Sequence, residues 1–184
     1  MKNTLDTALK HHQQGDIEAA KEIYLQLLDP QRKQHELLHL IGMCYGQTGE
    51  FHQAKHFLEQ ALTLQSEDAT IHNSLANILK HLKQKDLAIH HYQIALKLKP
   101  FNPTTHNNLG LLHYQNKNFL EAEGHFTQAI QQQQDFADAY TNLGLCSIAV
   151  KDWNKALKNF KTAYTIDSSL EIDDYLAHTY EQIQ

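Results

Sequence analysis

The sequence predicts an all-α fold, an α-solenoid of antiparallel helix pairs with five repeats and one further C-terminal helix. The first observation behind this prediction is a fixed period of 34 residues, which is typical of a repeat array. The second is that apolar residues follow helical spacing, and no stretch alternates with the period of two that a strand requires. The recurring framework is clearest in Leu109, Gly110, Phe119, Ala122, Phe126 and Ala129, and, one period later, in Leu143, Gly144, Trp153, Ala156, Phe160 and Ala163.

The predicted repeats form a single array over residues 1–184. In each repeat, apolar residues at positions 3, 7, 10 and 14 predict a first helix, helix A, and those at positions 17, 20, 24, 27 and 28 predict a second, helix B. Polar breaks such as Gly49-Glu50 and Lys117-Asn118 separate the two helices. The repeats are 1–34, 35–68, 69–102, 103–136 and 137–170, and residues 171–184 form a C-terminal capping helix or a truncated sixth repeat.

Small residues recur where the two helices of a repeat should cross. Position 8 is glycine in repeats 2, 4 and 5, although glycine inside a helix costs about 1 kcal/mol relative to alanine. Position 20 is alanine in every repeat, and position 24 is aromatic or leucine. Small residues on both helices let the backbones approach closely, and the large residue fills the space beside them. Repeat 1 fits least well, because Thr4 and Thr7 stand at usually apolar positions.

The C-terminal fragment carries its own helical pattern. We expect a lone A-type helix that covers repeat 5 with one apolar face. The residues of that face are Ile172, Leu176, Thr179, Tyr180 and Ile183.

Composition restricts the classes of function. Apolar residues make up 41% and charged residues 20%, which suits a folded protein, and the net charge of −5 argues against nucleic-acid binding. We find no secretion signal at the N-terminus and no stretch near the ~20 apolar residues of a membrane span. Cys44 and Cys146 lie three repeats apart, too far for a disulfide, so we predict reduced cysteines and a cytoplasmic protein.

The framework resembles the tetratricopeptide repeat family over nearly the whole chain. The match comprises small residues at positions 8, 20 and 27, a large apolar residue at position 7, and an aromatic residue or leucine at position 24. Two departures are that position 32 is proline only at Pro100 and that position 11 is tyrosine only at Tyr45. The resemblance implies that A helices line a concave groove that binds a protein or peptide, with no catalytic residue, cofactor or metal.

Asparagine side chains are concentrated where this groove should lie. Positions 2, 5, 6, 9, 12 and 13 share one helix face, and an asparagine amide can bracket the backbone of an extended peptide because it both donates and accepts. Asn108 and Asn142, with Ser74 as a weaker third, look like part of the asparagine ladder of O-linked N-acetylglucosamine transferase repeats. The predicted peptide-binding residues are Asn73, Asn77, Lys80, Asn107, Asn108, Leu111, Tyr114, Asp138 and Asn142.

Histidine motifs suggest one competing chemistry. The segment from His35 to His39 matches HExxH, in which two imidazoles on one helix face bind zinc and the glutamate acts as a base. The third ligand of the longer form of the motif would stand at Tyr45, and a chain with 14 histidines matches five letters easily by chance. His72 and His106 occupy position 4 and are expected to be half-buried packing residues. The histidine content also leaves acid sensitivity below pH ~6.5 open.

Three functions follow from these patterns. The first is a non-enzymatic scaffold or adaptor that binds an extended peptide or a partner segment in the groove. The second is a substrate-recognition arm of a larger enzyme, such as a glycosyl- or methyltransferase, whose catalytic domain lies outside these residues. The third is the HExxH zinc hydrolase.

Overall fold

A computed structural model of the chain describes residues 4–29 and 34–183. Over these residues the secondary structure is entirely helical, and eleven α-helices follow one another as predicted. They are α1 (Leu5–Gln13), α2 (Ile17–Leu27), α3 (His35–Gln47), α4 (Phe51–Leu64), α5 (Ala69–His81), α6 (Lys85–Leu98), α7 (Pro103–Gln115), α8 (Phe119–Gln132), α9 (Ala137–Ala149), α10 (Trp153–Ile166) and α11 (Asp173–Ile183).

The helices group into two compact units, Met1–Lys99 and Pro100–Gln184. In the first unit, the helices of each repeat pack in the pairs α1–α2, α3–α4 and α5–α6, and α2 also packs against α3 and α4 against α5. The second unit repeats this arrangement with α7–α8 and α9–α10, and α11 packs against α10. Among the residues that the structure describes, no helix has the length and apolarity needed to cross a membrane.

The core of each unit consists of the predicted framework residues. In the first unit, Ala8, Ala20 and Tyr24 are fully buried together with Ile41 and Cys44 of the following repeat. The second unit contains two such clusters, formed by Ala122, Phe126, Leu143 and Cys146, and by Ala156, Phe160, Ala163 and Ile172. Position 24 therefore supplies the central large side chain of each cluster, and position 20 the small residue beside it.

The turn between helices A and B places one residue in the left-handed region. Gly15 and Gly49 adopt φ of 81° at this point, but the next three repeats have Lys83, Lys117 and Lys151 with φ of 60° to 62°. A side chain in this conformation costs roughly 1–2 kcal/mol, whereas glycine adopts it without strain. Repeats 3 to 5 therefore carry backbone strain that repeats 1 and 2 avoid.

We expect Lys117→Gly to stabilise the second unit by about 0.5–1 kcal/mol. The substitution relieves left-handed strain in the folded state, and the greater freedom of glycine in the unfolded chain offsets part of the gain. Urea unfolding monitored by circular dichroism measures the change. The reverse substitution in the first unit, Gly49→Lys, is the matched control and should lower stability by a similar amount, and a destabilised Lys117→Gly variant would contradict the prediction.

The C-terminal helix follows a register that differs by one residue from the predicted one. Ile172 and Thr179 are buried and Leu176 is half-buried. Counted from residue 170 rather than 171, they take positions 3, 10 and 7, which are the buried positions of the other A helices. Tyr180 and Ile183, expected on the same face, are instead 44% and 40% exposed. Tyr180 still contacts α10, because Lys161 Nζ of that helix lies 5.2 Å from the centroid of the Tyr180 ring.

Candidate functional site

Within the second unit, α7 and α9 contact each other and carry most of the predicted binding residues. We call their shared surface the amide face and define it by Asn108, Leu111 and Tyr114 of α7 and Asp138, Asn142 and Leu145 of α9. Asp138 is exposed, and the other five residues are half-buried. The amide face therefore offers two asparagine side chains and an apolar floor, with one carboxylate at the start of α9.

A hydrogen bond between asparagines joins the two helices. Asn142 Nδ2 donates to Asn107 Oδ1 over 3.0 Å, and Asn107 is only 8% exposed. Asn107 was predicted to face a ligand, but the structure places it between the helices, where its carbonyl positions Asn142. Because an asparagine amide has two donor hydrogens and an acceptor oxygen, this bond uses only one of the three groups of Asn142 that can contact a ligand.

The floor of the amide face is continuous with the core beneath it. Leu111 and Tyr114 pack against the cluster around Phe126, and Leu145 packs against the cluster around Phe160. Burial raises the pKa of Tyr114, and the neighbouring Cys146 and Tyr175 raise it further. The Tyr114 hydroxyl therefore stays protonated at neutral pH and can donate to a ligand.

Tyr175 is a residue of this region that the sequence analysis missed. Its ring stacks on that of Phe160 with centroids 5.5 Å apart and an angle of 14°, and the side chain remains 41% exposed. It lies on α11, and together with burial and Cys146 it raises the pKa of Tyr114. The sequence does carry a signal for it, because Tyr175 takes position 5 when counted from residue 171 and position 6 when counted from residue 170, and both positions belong to the predicted groove face.

The first unit places its predicted residues differently. Tyr92 Oη of α6 donates to Asn77 Oδ1, so the Asn77 carbonyl points toward the core rather than to a ligand. Lys80 is half-buried, and burial lowers its pKa. Asn73 is also half-buried. In each unit, therefore, one asparagine of the predicted site uses an amide group in a hydrogen bond within the protein.

The first unit contains a hydrogen bond between A helices at the same repeat positions as the bond between Asn107 and Asn142. His39 Nε2 at position 5 lies 2.9 Å from Ser74 Oγ at position 6 of the next repeat, and Asn107 and Asn142 occupy the same two positions with their atoms 3.0 Å apart. Both pairs are 35 residues apart. Polar residues at this spacing tie adjacent A helices within a unit, and that spacing is the sequence signal that could have predicted the bonds.

The two histidines of the HExxH segment have different surroundings. His39 Nε2 bonds to Ser74, while His35 and Glu36 line a cavity of about 520 Å³ beside Leu5, Leu27 and Leu40. Over residues 4–29 and 34–183, no group of three or more histidine, cysteine or acidic side chains is arranged to hold a metal ion.

Comparison with known families agrees with the helix pairs. Family profiles described as tetratricopeptide repeat match residues 35–68 and 107–171, and one described as TPR repeat matches residues 77–117. These are tetratricopeptide repeats. The tetratricopeptide assignment covers the helices that carry the amide face, so the framework residues identified by their period are the packing residues of this family.

Solved structures share the tetratricopeptide fold. The crystal structure of MamA superposes with a TM-score of 0.80 at 23% identity, covering 88% of this chain and 94% of MamA. YrrB, described as a TPR protein with an unusual peptide-binding site, gives 0.77 at 21% identity, with 96% and 90% covered. PilF of Pseudomonas aeruginosa gives 0.74 at 25% identity, with 81% and 68% covered. No curated protein matches the sequence significantly.

Proposed function

We propose that the chain is a non-enzymatic scaffold whose amide face binds an extended peptide segment of a protein partner. The observation that carries this proposal is the pair Asn108 and Asn142, two half-buried amides on adjacent A helices above an apolar floor. Such amides pair with the backbone of an extended peptide whatever its sequence, while Leu111, Tyr114 and Leu145 offer contact area to its apolar side chains. The peptide-binding site named for YrrB supports the same use of the fold.

The charges on the amide face indicate the class of peptide. The face as defined contains no lysine or arginine, and Asp138 is its exposed carboxylate. An acidic peptide or a free C-terminal carboxylate would therefore find no cation there to pair with. We propose a segment that is neutral or carries a basic residue near Asp138, with an apolar side chain over Tyr114 and Leu145.

A direct test selects peptides against the whole chain and maps where they bind. Twelve-residue peptides from a random phage library are selected on the immobilised protein, and isothermal titration calorimetry then gives Kd for each variant. We expect Asn108→Ala to weaken binding about 3- to 10-fold, because a lost hydrogen bond costs about 0.5–1.5 kcal/mol. Tyr175→Ala should also weaken binding if α11 contributes to the face.

Matched controls separate contact from packing. Asn154→Ala removes an exposed asparagine from α10, and Tyr164→Ala removes a 42% exposed tyrosine from the same helix. Both control variants should bind like the parent protein. Unchanged Kd for a folded Asn108→Ala, Asn142→Ala double variant would refute the proposal, with circular dichroism to establish that the helices remain.

An alternative function is supported by the register of Asn108 and Asn142. Both occupy position 6, with Ser74 at the same position of repeat 3, and they look like part of the asparagine ladder of O-linked N-acetylglucosamine transferase repeats. On this alternative the chain is the substrate-recognition arm of a larger transferase. Sequencing the gene past the codon for Gln184 tests it, because an arm requires an open frame that continues into a catalytic domain.

We propose a reducing compartment, the cytoplasm, for this protein. Cys44 and Cys146 are both free and buried, and burial raises the pKa of each thiol to about 11. Both thiols are therefore protonated at neutral pH and pack as small apolar side chains rather than react. Mass spectrometry of protein alkylated in its native compartment should find both cysteines reduced.

A further inference from the structure

Two histidines face each other across the helix pair of repeat 3. His72 of α5 and His91 of α6 approach with their Nδ1 atoms 2.8 Å apart, and their rings lie 5.1 Å apart. His72 Nε2 also lies 3.0 Å from the carbonyl oxygen of Ser66. His72 is 7% exposed and His91 half-buried. The pair thus joins helix A to helix B inside the repeat.

The same arrangement occurs one repeat later, in the second unit. His106 of α7 and His125 of α8 approach with their Nδ1 atoms 3.2 Å apart, and His106 bonds to the backbone of Pro100. In both repeats the histidines are 19 residues apart, and the backbone partner lies six residues before the first of them. His113 stacks on His125 at 5.4 Å, and its buried Nδ1 has no hydrogen-bond partner.

The hydrogen bonds fix where the protons lie. A carbonyl oxygen can only accept, so His72 Nε2 carries a proton, and the Nδ1 atom of the neutral ring is then an acceptor. His91 must therefore donate from Nδ1. The separations of 2.8 and 3.2 Å fit a hydrogen bond, whereas an ion bridging two imidazoles in line would need about 4 Å, since each Zn–N bond is ~2.0–2.1 Å long.

We infer that the His72–His91 and His106–His125 pairs are acid-sensitive latches, which hold helix A to helix B in repeats 3 and 4 at neutral pH and release them on acidification. A proton added to the closed pair would go to Nε2 of the donor ring and place a charge on a half-buried imidazole beside a second histidine, so the closed pair resists it. The imidazoles of an opened pair are exposed to water and accept the proton readily.

The surroundings of His91 and His125 disfavour a positive charge on either ring while the helix pair is closed. Burial lowers the pKa of His91 to about 4, helped by His72 and His90, and burial lowers that of His125 to about 4, helped by His106 and His113. These neighbours are all histidines. Asp138, Tyr140 and Cys146 are the titratable groups of α9, which packs on α8, and none of them contributes to the shift of His125.

The direction of the pH effect follows from these values. Well above pH 6.5, His91 and His125 are neutral both in the closed helix pair and in the opened chain, so the latches contribute fully to stability. As pH falls from 6.5 toward 4, the unfolded or opened chain takes up a proton that the closed helix pair refuses, so opening becomes easier. At pH 5 the linkage amounts to about a thirtyfold larger opening constant for each latch.

Other repeats provide controls within the same molecule. At the two places of the latch, repeat 2 has Leu38 and Phe57, and repeat 5 has Tyr140 and Asn159. Hydrogen–deuterium exchange at pH 7.5 and 5.0, corrected for intrinsic rates, should therefore show protection in α6 and α8 falling about thirtyfold more than in α4 and α10. An equal fall in all four helices would overturn the inference.

Transplanting the repeat 2 pair tests the latches by substitution. His72→Leu with His91→Phe, and His106→Leu with His125→Phe, install an apolar pair that this fold already accommodates. The extra loss of protection at pH 5.0 should disappear in the transplanted repeat alone, and its persistence would refute the inference. Should a transplant fail to fold, His91→Gln and His125→Gln keep a donor without the titration and should give the same result. His52→Gln, which changes an exposed histidine of α4, should leave the pH dependence unaltered.

Discussion

Phe160→Ala is expected to lower the free energy of unfolding of the second unit by about 3–5 kcal/mol. Phe160 is fully buried and joins the three helices of the C-terminal end of the chain. Its ring fills the space opposite Gly144 of α9 and stacks on Tyr175 of α11. Removing the ring leaves a cavity between packed helices that cannot collapse onto small neighbours such as Ala156 and Ala163.

An exposed residue of the same type is the matched control. Phe101 is 66% exposed, so Phe101→Ala should change stability by less than about 0.5 kcal/mol. Urea unfolding followed by the fluorescence of Trp153, the single tryptophan, reports on the second unit. A Phe160→Ala loss no greater than that of the control would mean that the ring is not the centre of this cluster.

Gly144→Ala and Gly124→Ala are expected to change stability in opposite directions. A Cβ atom on Gly144 would lie 2.6 Å from Phe160 Cε1 and 2.8 Å from two further atoms of the ring. Because Tyr175 stacks on the same ring, Phe160 has little room to retreat, and overpacking of this kind costs about 1–3 kcal/mol. The clash therefore outweighs the gain of about 1 kcal/mol from replacing a helical glycine.

At Gly124, the gain in helix stability from replacing glycine with alanine can be measured without a steric clash. A Cβ atom there meets nothing within 4 Å, so Gly124→Ala on α8 should stabilise the second unit by about 0.5–1 kcal/mol. Thermal and urea unfolding of the two variants give the comparison. Equal effects of the two substitutions would show that position 8 is not held small by the ring at position 24.

The period of the sequence was enough to predict the backbone, and much less of the side-chain detail. Gly110, Ala122 and Phe126 recur because each repeat must solve the same packing problem, so eleven helices and their pairing follow from spacing alone. The one-residue shift of α11 escaped this reasoning, since a fixed period cannot show its own interruption. A better indicator was the small residue Ala177, which follows Leu176 as Gly144 follows Leu143.

The candidate site was predictable as a surface but not as a set of contacts. Helical spacing placed Asn108, Leu111 and Tyr114 on one face, and α7 presents them as half-buried residues. It gave no information on rotamers, so the burial of Asn107 and the bond from Tyr92 to Asn77 could not be foreseen. Periodicity determines which helix face a residue occupies, whereas its hydrogen-bond partner depends on the neighbouring helix.

The hydrogen bond from Asn142 to Asn107 joins α7 and α9, and it involves the same Asn142 side chain that would contact a peptide. The spacing of the two helices therefore depends on that side chain. A peptide carbonyl that accepts the Asn142 hydrogen now facing Asn107 would have to break this hydrogen bond. The buried Asn107 Oδ1 would then have lost this donor, which would favour its approach to another one. Peptide binding to the amide face and the separation of α7 and α9 are then coupled. The distance between α7 and α9 in the second unit would change when a peptide binds, and a pair of spin labels on α7 and α9 would measure that change directly.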